Sequence, residues 1–252
     1  MKNILLVALM CIFVLPVFSE SPDAADIIRK AESVFTDAPT YSLCRMTVYR
    51  GGVAGQPQSF ETWTMTDNGI VLTLSVYTAP PRMKGTAYLS TNEGIWMRFG
   101  STGRVRKLSS ESAKSLGGGS DFSLDDPGMS GGFATRYTPA LEGIESVEGI
   151  ESFRIILTPG EGADAAYSVC IAWVAVETFR YIRVDFYQDE ACIKRMICSD
   201  YHDTQVGLYP FRIEMQSLTR GTRTEIETLR LSIDSSDIEK GMFTPDYLET
   251  LD

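Results

Sequence analysis

The fold class is decided by positions 58–77, where the sequence reads QSFETWTMTDNGIVLTLSVY. Polar and apolar side chains alternate from Gln58 to Thr66, and a run rich in apolar and β-branched residues extends from Ile70 to Tyr77. Between the two runs, Asp67-Asn68-Gly69 favours a tight turn, because Asn and Gly tolerate the positive φ angles that such turns require. This stretch therefore predicts an antiparallel β-hairpin.

Similar runs recur on both sides of this hairpin. We predict further strands at Tyr41–Tyr49, Gly85–Ser90, Gly94–Phe99, Val105–Leu108, Thr135–Ala140, Glu151–Thr158, Tyr167–Val174, Phe179–Tyr187, Cys192–Tyr201, Tyr209–Leu218 and Thr222–Ile233. Their connections are short, which favours antiparallel pairing of neighbours. Because no helix separates consecutive strands, the pattern disfavours a parallel α/β sheet.

Only a few segments lack the strand pattern. Ile27, Ile28, Ala31, Val34 and Phe35 form one apolar stripe, which predicts an amphipathic helix. The segments that we expect to be helical or turn-like are Ala24–Phe35, Ser109–Leu116 within a strand-free insertion that ends near Gly132, Asp237–Met242 and Pro245–Leu251. The predicted fold class is α+β and mainly β, a large curved antiparallel sheet with helices packed on one face.

The N-terminus resembles a secretory signal. Lys2 precedes the apolar run Ile4–Phe18, and small and polar residues follow. We expect residues 1–19 to be a signal peptide cleaved after Ser19, and residues 20–252 to form one domain. An uncleaved anchor is disfavoured because the run is shorter than the roughly 20 residues that a spanning helix needs. A third interpretation is lipidation at Cys11, although the sequence lacks the small residue that usually precedes a lipidated cysteine.

The four cysteines that remain, Cys44, Cys170, Cys192 and Cys198, could form two disulfides in an oxidising compartment or remain small buried side chains. Cys192 and Cys198 lie on one predicted strand, too far apart to bond each other.

Composition excludes several classes of function. The chain has 33 acidic and 23 basic residues, a net charge of −10, which disfavours nucleic-acid binding. His202 is the only histidine, and this restricts imidazole-dependent catalysis and metal binding. No nucleotide-binding loop, zinc spacing or hydrolase elbow is present, and we expect no cofactor and no metal.

Several sequence blocks together resemble the outer-membrane lipoprotein-sorting protein family, the LolA-like relatives of periplasmic lipoprotein carriers. The blocks are PPRMKGTAYL at 80–89, IWM at 95–97, GRVRKL at 103–108, GGSDFSLDD at 118–126, AWV at 172–174 followed by 181–187, and GLYPFRIEM at 207–215 followed by 243–248. The resemblance covers essentially the whole chain after the signal. It implies an incomplete β-barrel wrapped around helices on its concave face, with an apolar cavity that accepts acyl chains.

The residues that we expect in such a cavity come from the apolar faces of the predicted strands and from the glycine-rich loop, and flexible Met side chains suit an adaptable pocket. They are Met46, Val48, Trp63, Met65, Leu72, Leu74, Val76, Trp96 and Phe122. An ordinary core is the alternative.

Two further sites follow from the same region of the sequence. Gly117, Gly118 and Gly119 are the predicted hinges of a gate, for which a rigid turn is the alternative. Arg98, Arg104, Arg106 and Lys107, with Lys114 nearby, form a basic patch for anionic headgroups or an acidic partner. Solvated strand edges are the alternative reading of this patch.

The function expected from the sequence is a periplasmic carrier that holds the acyl chains of a lipid or lipoprotein. Its partners would be those lipids and a membrane complex that donates or accepts them, and the protein would be a monomer. One alternative is an envelope sensor or scaffold that binds a protein. Another is a lipid-cleaving hydrolase using Ser120, Asp121 and His202, and Ca²⁺ binding by Asp121, Asp125 and Asp126 is a minor reading.

Overall fold

A computed structural model describes residues 22–115, 119–124, 126–127, 132–234 and 236–251. The predicted signal peptide, Gly117, Gly118 and Asp125 lie outside these ranges. In the described part, one antiparallel sheet contains 14 strands, and it is curved without closing into a barrel. The mainly β fold class predicted above is therefore confirmed.

The sheet consists of two meanders joined at one seam. From edge to edge its strand order is β7-β6-β5-β4-β3-β1-β14-β13-β12-β11-β10-β9-β8, and β2 pairs with β1 alone. The strands are β1 Thr40–Arg50, β2 Val53–Ala54, β3 Gln58–Asp67, β4 Ile70–Ala79, β5 Ala87–Thr91, β6 Gly94–Arg98, β7 Val105–Lys107, β8 Tyr137–Val147, β9 Ile150–Pro159, β10 Val169–Ala175, β11 Tyr181–Gln188, β12 Ala191–Thr204, β13 Gly207–Ser217 and β14 Thr222–Ile233.

The helices are short by comparison. The described ranges hold α1 Ala24–Thr36, α2 Ser110–Ser115, α3 Gly132–Arg136, α4 Pro245–Glu249 and a 3₁₀ turn at Lys240–Met242. The sequence pattern did not predict β2, α3 or the second half of β8. The second half of β8 was missed because the strand has an irregularity there. Its register with β9 shifts between Leu141 and Gly143, which breaks the alternation on which the prediction relied.

The tight turn at Asp67–Ile70 forms as predicted. Asn68 and Gly69 have φ angles of 51° and 78°, and they join β3 to β4 with Asp67 paired to Ile70. Positive φ at both central residues is the geometry of the tight hairpin turn, which matches the twist of the flanking strands.

Helix α1 fills one half of the inner face of the sheet. It begins at the cap Asp23, whose carboxylate accepts the Ala25 N–H, and it buries Ile27, Ile28 and Phe35. These side chains pack in one core with inward-facing residues of β9–β13, and Phe133 of α3 joins that core. The amphipathic stripe predicted from the sequence is therefore the surface that contacts the sheet.

The C-terminal segment, residues 236–251, packs on the outer face of the sheet, the face opposite α1. Ile238, Phe243 and Leu248 pack against the outer side of β3–β6. The prediction placed helices on one face only, and α4 differs because the outward-facing side chains of these strands are themselves apolar and need a cover. The side chains beneath it include Trp63, Met65, Leu72, Leu74, Val76 and Trp96.

The described cysteines are all unpaired, and Cys192 and Cys198 do not bond each other, as expected. Over the described residues, every helix is too short or too polar to cross a bilayer.

Arg98 holds the C-terminal segment in place. Its side chain is 7% exposed, and its guanidinium donates to the Gly85 carbonyl at 2.7 Å and to the Leu251 carbonyl. Arg98→Met should leave both carbonyls without their donor and lower the free energy of unfolding by about 2–3 kcal/mol, as measured by urea denaturation. The matched variant Arg104→Met removes an exposed arginine and should change stability by less than about 0.5 kcal/mol. Equal losses in the two variants would contradict this role.

Candidate functional site

A cavity of about 220 Å³ opens on the inner face of the sheet. It lies between Phe35 at the end of α1, the loop at Phe122–Leu124, and strands from β6 to β13. In a flat sheet these two strands would be roughly 29 Å apart, six strand spacings of about 4.8 Å. Both Ile95 of β6 and Ile213 of β13 line the cavity, so the sheet must curve around it.

The cavity wall is amphipathic. It combines hydroxyl groups from five neighbouring strands with apolar and aromatic side chains. The hydroxyl-bearing residues are Thr40, Ser42, Thr62, Thr64, Thr73, Ser75, Ser90 and Thr228, and the remaining side chains include Phe35, Cys44, Phe60, Phe122, Leu124, Tyr209, Ile213 and Ile226. The described lining contains no Lys, Arg or His.

Strand alternation explains where the predicted cavity residues lie. Register pairs Trp63 with Leu74 and Met65 with Leu72, and these side chains point away from α1. The residues between them, Thr62, Thr64, Thr73 and Ser75, point toward the cavity, and the Thr62 and Ser75 hydroxyls are 2.9 Å apart.

The residues predicted to line the cavity are therefore divided between the inner and outer faces of the sheet. Trp63, Met65, Leu72, Leu74, Val76 and Trp96 lie under the C-terminal segment, which corrects their placement in the cavity, because their apolar face is covered from outside. Met46 and Val48 are buried on the inner face without lining the cavity, and Phe122 lines it. Alternation yields two faces for each strand but does not identify which one faces inward.

The loop that covers the cavity is held at one end by Asp121. This carboxylate is 1% exposed, and it accepts hydrogen bonds from Arg220 Nη2 at 2.7 Å, Thr222 Oγ1 at 2.5 Å and Thr224 Oγ1 at 2.8 Å. The Asp121 N–H in turn donates to Thr224 Oγ1. These bonds fix the loop to β14.

Asp126 holds the other end. Its buried carboxylate accepts hydrogen bonds from the Tyr167 hydroxyl, from Ser123 and from Lys194 Nζ, the last at 3.4 Å. Between the two anchors, Phe122 and Leu124 contact the cavity. Of the predicted hinges, the described Gly119 has φ of 80° with open space around its Cβ position, and its carbonyl accepts from Arg50.

The predicted basic patch separates into buried and exposed parts. Arg98 is enclosed beneath the C-terminal segment, which corrects its assignment as a surface contact. Arg104, Arg106 and Lys107 are exposed along the edge strand β7, and Lys107 Nζ lies 5.0 Å from the Trp96 ring centroid. Lys114 of α2 pairs with Asp164.

The residues considered for hydrolysis make separate contacts. Ser120 Oγ donates to the Phe122 carbonyl, Asp121 is bound by β14, and His202 stacks on Phe211 at 4.1 Å and contacts Asp200. In the described part of the chain, these contacts do not join the three into a relay. Asp121 and Asp126, considered for Ca²⁺, are each engaged by side chains of the protein.

Glu32 links α1 to α3 beneath the inner face. Its two carboxylate oxygens accept the Phe133 and Ala134 N–H groups at 2.9 and 3.0 Å. Burial raises the pKa of Glu32 to about 7, against the lowering effect of those hydrogen bonds and of Arg136.

The fold is shared with solved bacterial proteins. A DUF1329 family protein from Desulfovibrio piger is 24% identical, with a TM-score of 0.81 over 89% of this chain and 97% of that one. A domain described as belonging to an outer membrane lipoprotein-sorting protein from Vibrio parahaemolyticus is 18% identical, with a TM-score of 0.80 over 90% and 98%. A LolA superfamily protein from Nitrosomonas europaea is 19% identical, with a TM-score of 0.75 over 90% and 100%.

These likenesses confirm the predicted resemblance at the level of the fold, which is LolA-like. A family model described as "Uncharacterized protein" matches residues 70–250. A comparison with curated proteins finds no match.

The raised pKa of Glu32 predicts a pH dependence of stability. Between pH 4.5 and about 7 the folded protein keeps a proton that the unfolded chain releases, so the free energy of unfolding falls as pH rises. We expect the free energy of unfolding of the wild type, measured relative to that of Glu32→Gln by urea denaturation, to fall by about 3 kcal/mol between pH 4 and pH 8. The matched variant Glu111→Gln removes an exposed carboxylate and should change the free energy of unfolding by less than about 0.5 kcal/mol. A constant difference for Glu32→Gln would contradict the prediction.

Proposed function

The chain belongs to the family of uncharacterized proteins whose model matches residues 70–250, and we propose that it is a periplasmic carrier of lipids or lipoproteins. The observation that carries this proposal is the cavity on the inner face, where an extended acyl chain would contact Phe35, Phe122, Ile213 and Ile226. Each buried methylene would contribute roughly 0.8 kcal/mol, and release needs no covalent chemistry.

The hydroxyl-bearing wall refines the ligand class. Serine and threonine side chains can hydrogen-bond to the ester or amide oxygens that join acyl chains to a glycerol or peptide unit. Because the described lining has no basic side chain, a free carboxylate inside the cavity would lack a counter-ion. A linked acyl chain therefore suits this cavity better than a free fatty acid does.

Entry and exit would require the loop at Phe122–Leu124 to move. We assign the gate to this loop and the hinge to Gly117, Gly118 and Gly119. Gly119 has the conformational freedom that a hinge needs, and the anchors at Asp121 and Asp126 would limit the movement. The exposed cations Arg104, Arg106 and Lys107 would meet an anionic membrane surface or partner. Export through the signal at residues 1–19 would place the protein in the periplasm.

Cys44 offers a direct test of cavity occupancy, because it lines the cavity, while Cys192 pairs with the outward-facing Tyr187 and lies on the outer face. Burial raises the pKa of both thiols, so both react slowly. A monoacylglycerol at ten times its Kd should slow alkylation of Cys44 about tenfold and leave Cys192 unchanged, as followed by peptide mass spectrometry. Equal rates at Cys44 with and without lipid would count against the proposal.

A cavity-filling variant tests the same site by affinity. Thr73→Phe introduces a ring into the hydroxyl-bearing wall and should weaken monoacylglycerol binding by more than about tenfold in a fluorescence displacement assay. The control Thr138→Phe adds the same ring to an exposed position on β8 and should bind like the wild type. Unchanged affinity in a folded Thr73→Phe protein would exclude this cavity as the binding site.

A further inference from the structure

A second cleft adjoins the cavity. It has a volume of about 220 Å³ and lies between α1, the turn that joins β10 to β11, and the hairpin that joins β12 to β13. The polar and charged side chains that line it are Lys30, Ser33, Thr178 and Arg180, together with Tyr181 and Tyr201. Among the described residues, the lining contains no carboxylate.

Among the described residues, the two cations of this cleft contact aromatic rings and no acid. Lys30 Nζ lies 4.4 Å from the centroid of Phe179, and the Arg180 guanidinium lies 4.8 Å from that of Tyr201. Elsewhere Lys194 and Arg195 are matched by buried carboxylates. In a protein of net charge −10, two neighbouring cations without an anionic partner in the described chain make the cleft a local positive site.

Arg180 also has unused hydrogen-bonding capacity. Its Nε is buried and has no hydrogen-bond partner in the described structure. A buried N–H without an acceptor is costly, and an oxyanion bound by the same guanidinium group would offset that cost. Guanidinium and ammonium groups together are the usual ligands of phosphate oxygens.

The Phe35 side chain is the wall that the cleft and the cavity share. This residue of α1 lines both, and its ring packs edge-on against Tyr209 of the cavity wall with centroids 5.3 Å apart. The two spaces therefore adjoin at this ring, and an acyl chain would pass from the cleft into the cavity if the ring rotated aside. An anionic group at Lys30 and Arg180 and an apolar chain in the cavity could belong to one molecule.

We infer that the cleft formed by Lys30 and Arg180 binds the phosphate headgroup of an amphiphile whose acyl chain occupies the adjoining cavity. This inference rests on the proposed carrier function and specifies its ligand as a phosphate-bearing lipid. The cavity supplies the burial of the chain, while the cleft supplies the positive charge that the described cavity lining lacks.

The test compares three ligands on the full-length mature protein. A lysophosphatidic acid and a monoacylglycerol with the same acyl chain, both below their micelle concentrations, are titrated by calorimetry, and glycerol 3-phosphate represents the headgroup alone. The lysophosphatidic acid should bind at least about tenfold more tightly than the monoacylglycerol, because the charged group adds its own hydrogen bonds. It should also bind more tightly than glycerol 3-phosphate, which lacks the chain.

The variants assign that preference to the cleft. In Lys30→Gln/Arg180→Gln the ratio of the two lipid affinities should fall to about one. Arg29→Gln alters the neighbouring exposed residue of α1, which already pairs with Asp26, and should keep the wild-type ratio. A urea unfolding curve for each variant verifies that it is folded.

Each contrary result has a distinct meaning. Equal affinity of the wild type for the two lipids, or a preference that persists in the double variant, would overturn the inference and leave the carrier proposal standing. Equal affinities for glycerol 3-phosphate and the lysophosphatidic acid would also overturn it, because the chain would then contribute nothing. Failure of both lipids to bind would contradict the carrier function itself.

Discussion

The pairing of β1 with β14 is the contact on which the rest of the molecule depends. It joins Thr40–Arg50 to Thr222–Ile233, segments that are more than 170 positions apart, and so converts two local meanders into one sheet. Closing so long a loop is entropically costly and is offset only when the complete sheet buries its core. The cavity straddles this seam, since Cys44 comes from β1 and Ile226 and Thr228 from β14. The site therefore exists only in the assembled sheet.

Most of the fold could be predicted from alternation and turn chemistry, because both are local. The hairpin at Asp67–Ile70 and the helix α1 form as the sequence indicates, within one or two residues at their ends. The site could not be predicted in the same way. Leu72 and Leu74 are more apolar than Thr73 and Ser75, yet the less apolar face is the one directed inward. What decides this is the C-terminal segment, whose position on the outer face no local pattern reveals.

The uneven filling of the inner face explains why a cavity exists. Helix α1 and Phe133 fill the half formed by β9–β13 with a continuous core. No described helix occupies the corresponding space over β3–β5, where Phe122 and Leu124 provide the cover. Buried carboxylates fix the irregular segments at its border: Asp121 and Asp126 anchor the loop, and Glu32 anchors α3. Polar groups that look functional in sequence thus determine the position of the cover.

The C-terminal segment also imposes an order on biogenesis. Its first core residue, Ile238, follows Arg98 by 140 positions, so the outer face of β3–β6 is synthesised long before its cover. During that interval Trp63, Leu72, Leu74 and Trp96 lack the cover that the C-terminal segment provides. If the chain crosses a membrane with its N-terminus leading, this apolar surface reaches the next compartment before its cover does. Until residues 238–251 arrive, the exposed apolar strands would be prone to aggregation, as transiently uncovered surfaces are in other folding chains.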